Sequence, residues 1–100
     1  MESKRKEVWA RTRRVIREYP RLSAAADAGS RAECAAVRDA LRHAERLPDG
    51  PRRVRLVTLT LMERSRTVSG AALECHVSER TAFRWRGEFI LNVAKNLGWI

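Results

Sequence analysis

The sequence predicts an all-α fold, a small helical bundle closed by a C-terminal helix-turn-helix, and three features carry that prediction. Apolar residues recur at spacings of three and four along most of the chain. Serine or threonine stands where several of these runs begin, and proline or glycine where they end. Only one stretch alternates as a strand would, and a lone strand leaves its backbone unpaired. At 100 residues and 11.5 kDa the chain has room for a single domain. We divide it into an N-terminal basic helix and connector at 1–29 and a helical core at 30–100, with the helix-turn-helix at about 68–97.

From about Lys4 to Tyr19, the apolar Val8, Val15, Ile16 and Tyr19 alternate with Arg11, Arg14 and Arg17, so the first helix is amphipathic and basic. Pro20 disfavours helical geometry at Tyr19, and Gly29 marks a turn further on; the helix is expected to end near Tyr19. Ser30 and Glu33 have the spacing of a capping box, which starts the second helix. Its buried face would hold Cys34, Val37, Leu41, Ala44 and Leu47, and "PDGP" at 48–51 stops it. Arg38, Arg42 and Arg46 stand at successive i, i+4 positions and repel one another unless acids or phosphates intervene. Asp39 and Glu45 lie close enough in sequence to favour a solvated, salt-bridged face over a phosphate-contacting stripe.

The run "VRLVTLTLMERS" is ambiguous. Val57, Leu59 and Leu61 alternate with Thr58 and Thr60 as in a strand, whereas Val54, Val57 and Leu61 fit a helix. No second strand-like run exists to pair with it, so helix is preferred, with Pro51 in the first turn where its missing amide costs nothing. The rest reads as a short helix capped by Thr67 or Ser69, a turn, and a long helix capped by Ser78. The long helix carries Ala82, Trp85, Phe89, Val93 and Leu97 on one stripe, and Gly98 is its stop. At the C-terminus, Leu97, Trp99 and Ile100 would either complete the core or form an interface in a homodimer.

The formal charge is +9 and the isoelectric point about 11.2, with Lys4, Lys6 and Lys95 the only lysines. A polyanion is the natural partner. Arginine suits bidentate contact with phosphate or guanine, which favours nucleic acid over lipid head groups. A coding sequence that prefers arginine to lysine would produce the same count, and that explanation stands beside the functional one. Cys34 and Cys75 are far apart among alanine, valine and leucine, and read as small buried residues rather than zinc ligands. No run approaches the roughly 18 apolar residues of a membrane span, and the charged N-terminus lacks a signal peptide's apolar stretch. The expected location is cytoplasmic. No metal set, phosphate loop or nucleophile triad is present, so neither enzymatic activity nor a cofactor is expected.

The segment "HVSERTAFRWRGEFI" at 76–90 carries the functional expectation. A helix-turn-helix needs a small residue in its first helix, a turn residue that tolerates a left-handed backbone, a cap, and two inward apolar positions on the second helix. Ala72, His76, Val77, Ser78, Ala82 and Trp85 supply those roles in order. His76 replaces the commoner glycine. With Ala82 and Trp85 inward, Glu79, Arg80, Thr81, Phe83 and Arg84 are left to face the major groove. Arg80 and Arg84 can fork onto guanine, Thr81 can bond a base or phosphate, Phe83 can pack on a thymine methyl, and Glu79 can accept from cytosine. Phosphate contacts are expected from Ser78 and from Ser69, with Arg86, Arg64 and Arg66 flanking. For each arginine a plain solvated charge competes equally. Trp85 belongs to the apolar stripe and reads as core.

The pattern "GAALECHVSERTAFRWRGEFILNVAKNLG", with the upstream "LPDGPRRVRLVTLTLM", resembles the RinA/ArpU-like group of bacteriophage late-gene transcriptional regulators, whose fold is similar to region 4 of bacterial sigma factors. Its most specific part is Ser78, Thr81, Arg84 and Trp85 followed by Phe89, Ile90, Val93 and Ala94. The resemblance covers roughly residues 37–99, with "REYPRL" at 17–22 matching more loosely. It implies a phage- or prophage-encoded activator in a bacterial host, a second helix that enters the major groove of double-stranded DNA, and a contact with host RNA polymerase. It also settles "RLVTLTL" toward helix. Two other classes compete. A DNA-binding packaging component of the small terminase type would need a ring-forming segment, and little chain is left over for one. A protein-binding adaptor would use the exposed Phe83 face.

Overall fold

The computed structural model describes residues 2–25 and 31–100, and all of the regular structure there is helical. The elements are α1 (Glu2–Ala25), α2 (Arg31–Arg46), α3 (Gly50–Val57) running into a π-helical segment (Thr58–Met62), α4 (Val68–Glu74) and α5 (Glu79–Asn96). α5 touches each of the other four helices and is the axis of the fold.

α1 continues through Pro20 to Ala25 rather than ending near Tyr19. A proline inside a helix costs about 3 kcal/mol, but the residues flanking it are held by packing: Ile16 is fully buried, and Tyr19 packs against the main core. Burial therefore outweighs the local preference. Thr12 is also fully buried on this helix, its hydroxyl donating to the Val8 carbonyl at 2.7 Å. Ser30, the expected cap of α2, lies outside the described residues. Cys34, Val37 and Ala44 are buried as expected, joined by Ala36 and Ala40, while Leu41 and Leu47 are half-buried.

The expected salt bridges on the outer face of α2 do not form. Arg38, Arg42 and Arg46 are exposed and make no ion pair with Asp39 or Glu45. Glu45 follows Arg42 in the chain, the weaker order for a helical pair, and water solvates these groups more cheaply than ordered side chains do.

Asp49 turns the chain in the left-handed region (φ 61°), and Pro51 sits in the first turn of α3 as expected. Gly50 is buried, and a Cβ there would overlap the Glu45 carbonyl. Gly50→Ala should therefore lower stability by about 1–3 kcal/mol through overpacking against backbone, read as a reduced denaturation midpoint; an unchanged midpoint would mean that the turn relaxes freely.

"VRLVTLTL" is helical. Its threonines loosen the second half: Thr58 and Thr60 hydroxyls donate to the Val54 and Leu56 carbonyls, each at 2.8 Å. The Glu63 amide reaches back five residues to the Thr58 carbonyl at 2.8 Å. The wider turn closes at Arg64, whose φ of 54° is left-handed.

Two apolar clusters result. The larger joins Val15, Ile16, Val37, Ala40, Val57, Leu61, Phe89, Ile90 and Val93, so it unites α1, α2 and the second half of α5. The smaller joins Leu56, Ala71, Ala72, Cys75, Ala82 and Trp85, which seats α4 on the first half of α5. Leu56 and Val57, adjacent in sequence, face different clusters and tie them together. Leu97 and Trp99 pack against the larger cluster whereas Ile100 is exposed. Gly98 (φ 75°) stops α5: Trp99 and Gly98 amides donate to the Ala94 and Lys95 carbonyls, both at 3.0 Å.

Candidate nucleic-acid interface

α4 and α5 are joined by a short turn whose geometry follows from residue chemistry. Thr67 caps α4, its hydroxyl oxygen accepting from the Gly70 amide at 3.1 Å, so Thr67 rather than Ser69 fills that role. α4 ends with the Val77 amide donating to Ala72 at 3.0 Å and the His76 amide to Leu73 at 3.2 Å, while His76 adopts φ 57°. These two bonds are a Schellman closure, with histidine where glycine is usual. His76→Gly should remove a left-handed strain of about 1–2 kcal/mol while adding about 0.5–1 kcal/mol of backbone entropy cost. A small net gain in melting temperature is the expected result; a loss would show that the imidazole contributes more than its backbone strain costs.

A further brace was not legible in the sequence. Arg52 of α3 donates from Nη1 to the His76 carbonyl at 3.2 Å and the Cys75 carbonyl at 3.4 Å, and pairs through Nη2 with Asp49. It thereby satisfies carbonyls left over at the end of α4. The pairing spans more than twenty residues of chain, which no local pattern encodes.

Ser78 caps α5, its Oγ accepting from the Thr81 amide at 3.1 Å and donating to Thr81 Oγ1 at 2.9 Å. From this start the helix separates into faces. Ala82 and Trp85 are buried against α4, as expected for the inward positions. Glu79, Arg80, Phe83 and Arg84 are exposed, and Phe83 keeps 52% of its surface accessible. Thr81 is half-buried and its oxygen is engaged by Ser78, which places it at the flank of the exposed row.

Arg80 has no ion-pair partner among the described residues. Arg84 lies 3.7 Å from Glu88, but Glu88 already accepts from Arg53 Nη1 at 2.8 Å. Arg53 is structural: it donates to the Pro48 carbonyl at 2.9 Å and lies 5.0 Å over the Trp85 ring. Nε1 of Trp85 is buried and has no hydrogen-bond partner among the described residues.

The other expected contacts divide between two places. Ser69 is exposed on α4. Arg66 is hydrogen-bonded to Glu74 Oε1 at 2.6 Å, and Arg55 reaches the other carboxylate oxygen at 3.3 Å. The Arg66 hydrogen bond holds Glu74 below the usual carboxylate range, so this brace persists at neutral pH and is released only in acid. Arg64 and Arg86 stand apart from the exposed row of α5 and line a depression shared with α1. Leu73 of α4, 79% exposed, was not singled out from the sequence. It lies beside alanines at positions that read as one apolar run, and only the packing of α4 shows which of them faces out.

Burial pushes the Cys75 thiol up, away from the reactive thiolate, and Cys34 and Cys75 are both buried and unpaired. No group of three or more metal-binding side chains occurs among the described residues, and no helix there is long and apolar enough to cross a membrane. Compared with known proteins, the chain matches no family model, no curated protein and no solved structure.

Proposed function

We propose that the protein is a sequence-specific DNA-binding regulator that reads the major groove with the first two turns of α5. The observation that carries this reading is the division of that helix. Ala82 and Trp85 are locked into the core, while Arg80, Phe83 and Arg84 project from the opposite side, where Arg84 makes a loose 3.7 Å pair with Glu88. A rigid helix that presents unpaired or loosely paired arginines beside an exposed aromatic suits guanine edges and a thymine methyl. The charge of +9 supplies the attraction to phosphate. Ser78 and Ser69 are assigned to phosphate contacts.

The narrower assignment, an activator of phage late genes that contacts host RNA polymerase, rests on the Ser78-to-Ala94 motif and its likeness to the RinA/ArpU-like group. Protein adaptor function is the second reading, favoured by the exposure of Leu73 and Phe83. Selection of bound duplexes from a random pool, followed by footprinting of the winner, separates them. A regulator yields one enriched site with protection in the major groove, and binding that falls steeply with salt. An unenriched pool would remove sequence reading, and the absence of any salt-dependent duplex binding as well would leave the adaptor.

A further inference from the structure

α1, the π-helical segment, the start of α4 and Arg86 of α5 enclose an open depression of about 360 Å³. Six arginines line it: Arg13, Arg14 and Arg17 from α1, Arg64 and Arg66 from the segment before α4, and Arg86 from α5. No carboxylate is among its lining residues. Arg66 is neutralised by Glu74, but Arg13, Arg14, Arg17, Arg64 and Arg86 have no ion pair among the described residues. Glu18, one turn beyond Arg14 on the same helix, approaches Arg21 at 3.8 Å rather than an arginine of the lining.

Folding thus brings like charges together from three parts of the chain, and five of the six arginines have no carboxylate partner among the described residues. Arg86 is half-buried, and burial followed by the nearby Arg13 charge lowers its pKa. A partly desolvated guanidinium facing another one is an electrostatic cost that a bound anion removes. Thr60 and Thr67 line the same depression. The Thr60 hydroxyl is occupied with the Leu56 carbonyl, whereas the Thr67 oxygen accepts from Gly70 and leaves its proton free to donate.

We propose that this depression is a polyphosphate site that takes a run of two or more neighbouring phosphate groups. The charge argues for more than one phosphate: a phosphomonoester carries about −1.5 to −2 at neutral pH and a backbone phosphodiester about −1, each too little for the unpaired arginines, and guanidinium groups bind phosphate oxygens in paired, planar contacts. The phosphates would come either from the backbone of a DNA strand flanking the groove read by α5 or from a free polyphosphate. The first source rests on the proposed DNA-binding function, and the second does not.

The test uses the full chain, sodium tripolyphosphate at constant ionic strength, and a random-sequence duplex. The variants are R13A/R17A, R13K/R17K and R84A. Both α1 positions are exposed and unpaired, so their loss does not threaten folding. Tripolyphosphate is expected to raise the melting temperature of the wild type and of R84A, most of that rise is kept by R13K/R17K, and R13A/R17A loses it. On the duplex, R13A/R17A should reduce the slope of log K against log salt by about 2, near 0.9 per lost phosphate contact. A loss seen only on the duplex assigns the site to backbone phosphates, and one seen only with tripolyphosphate assigns it to a free ligand. R13A/R17A indistinguishable from wild type in both assays overturns the proposal. R84A, which tests base reading alone, keeps the two failures separate.

Discussion

Arg84→Ala is expected to weaken binding to the selected site by about 1–3 kcal/mol, with a much smaller loss on random duplex. The structure explains why this arginine is available. Its ion pair with Glu88 is exposed and 3.7 Å long, an interaction worth little against water. Releasing it leaves no orphaned charge, because Glu88 keeps its 2.8 Å bond to Arg53. Arg84 can thus turn to a guanine edge at almost no expense to the fold, and the variant should melt where the wild type does. Arg80, one turn earlier and without an ion pair among the described residues, should behave alike. An equal loss on selected and random duplexes would make Arg84 a phosphate contact and move sequence reading to other residues.

Trp85 is expected to show the opposite pattern, with a large effect on stability and none on specificity. Trp85→Ala should cost about 3–5 kcal/mol, a major part of the 5–15 kcal/mol that typically holds a domain together. Of its buried neighbours in the smaller cluster only Leu56 is long, and Ala71, Ala72, Cys75 and Ala82 have no side-chain length to fill the space left behind. The Arg53 guanidinium would also lose the ring on which it rests. Trp85→Phe is the informative companion. The indole nitrogen is buried and has no partner among the described residues, so phenylalanine forfeits area but no hydrogen bond seen there, and it removes an unsatisfied donor. Denaturation of both variants, with the phenylalanine form assayed on the selected duplex, gives the check. Trp85→Phe that melts normally but no longer binds would show that the ring contacts DNA and that the inward orientation is wrong for the bound state.

These two residues lie one position apart, and their different roles show how far the linear pattern reaches. The 3.6-residue period assigns Trp85 and Ala82 inward and Arg84 outward without any knowledge of what they meet. Local chemistry likewise foretold the Ser78 cap, the left-handed His76 and the stop at Gly98. Those features depend on neighbours within a few residues, and such contacts are written in sequence order. The same local logic failed at Pro20, where a proline's usual meaning was overruled by the burial of Ile16 and the packing of Tyr19. It failed again on α2, where acids spaced to pair with Arg38, Arg42 and Arg46 remain in water.

What the amino-acid order determined alone is therefore the helical class, the turn between α4 and α5, and which side of α5 is free. Each follows from backbone sterics and side-chain period. Tertiary structure decided what lies beside that free side. Arg52 reaches the turn from α3, and Arg13, Arg14 and Arg17 of α1 meet Arg64 and Arg86 around one depression. Read along the chain, those arginines were a basic helix and two flanking charges. Their convergence depends on how α1 crosses α5, and that crossing is set by burial of Val15 and Ile16 against Phe89 and Ile90. Hydrophobic packing is not directional, so the sequence names the residues that must be buried but not the charges that their burial brings together.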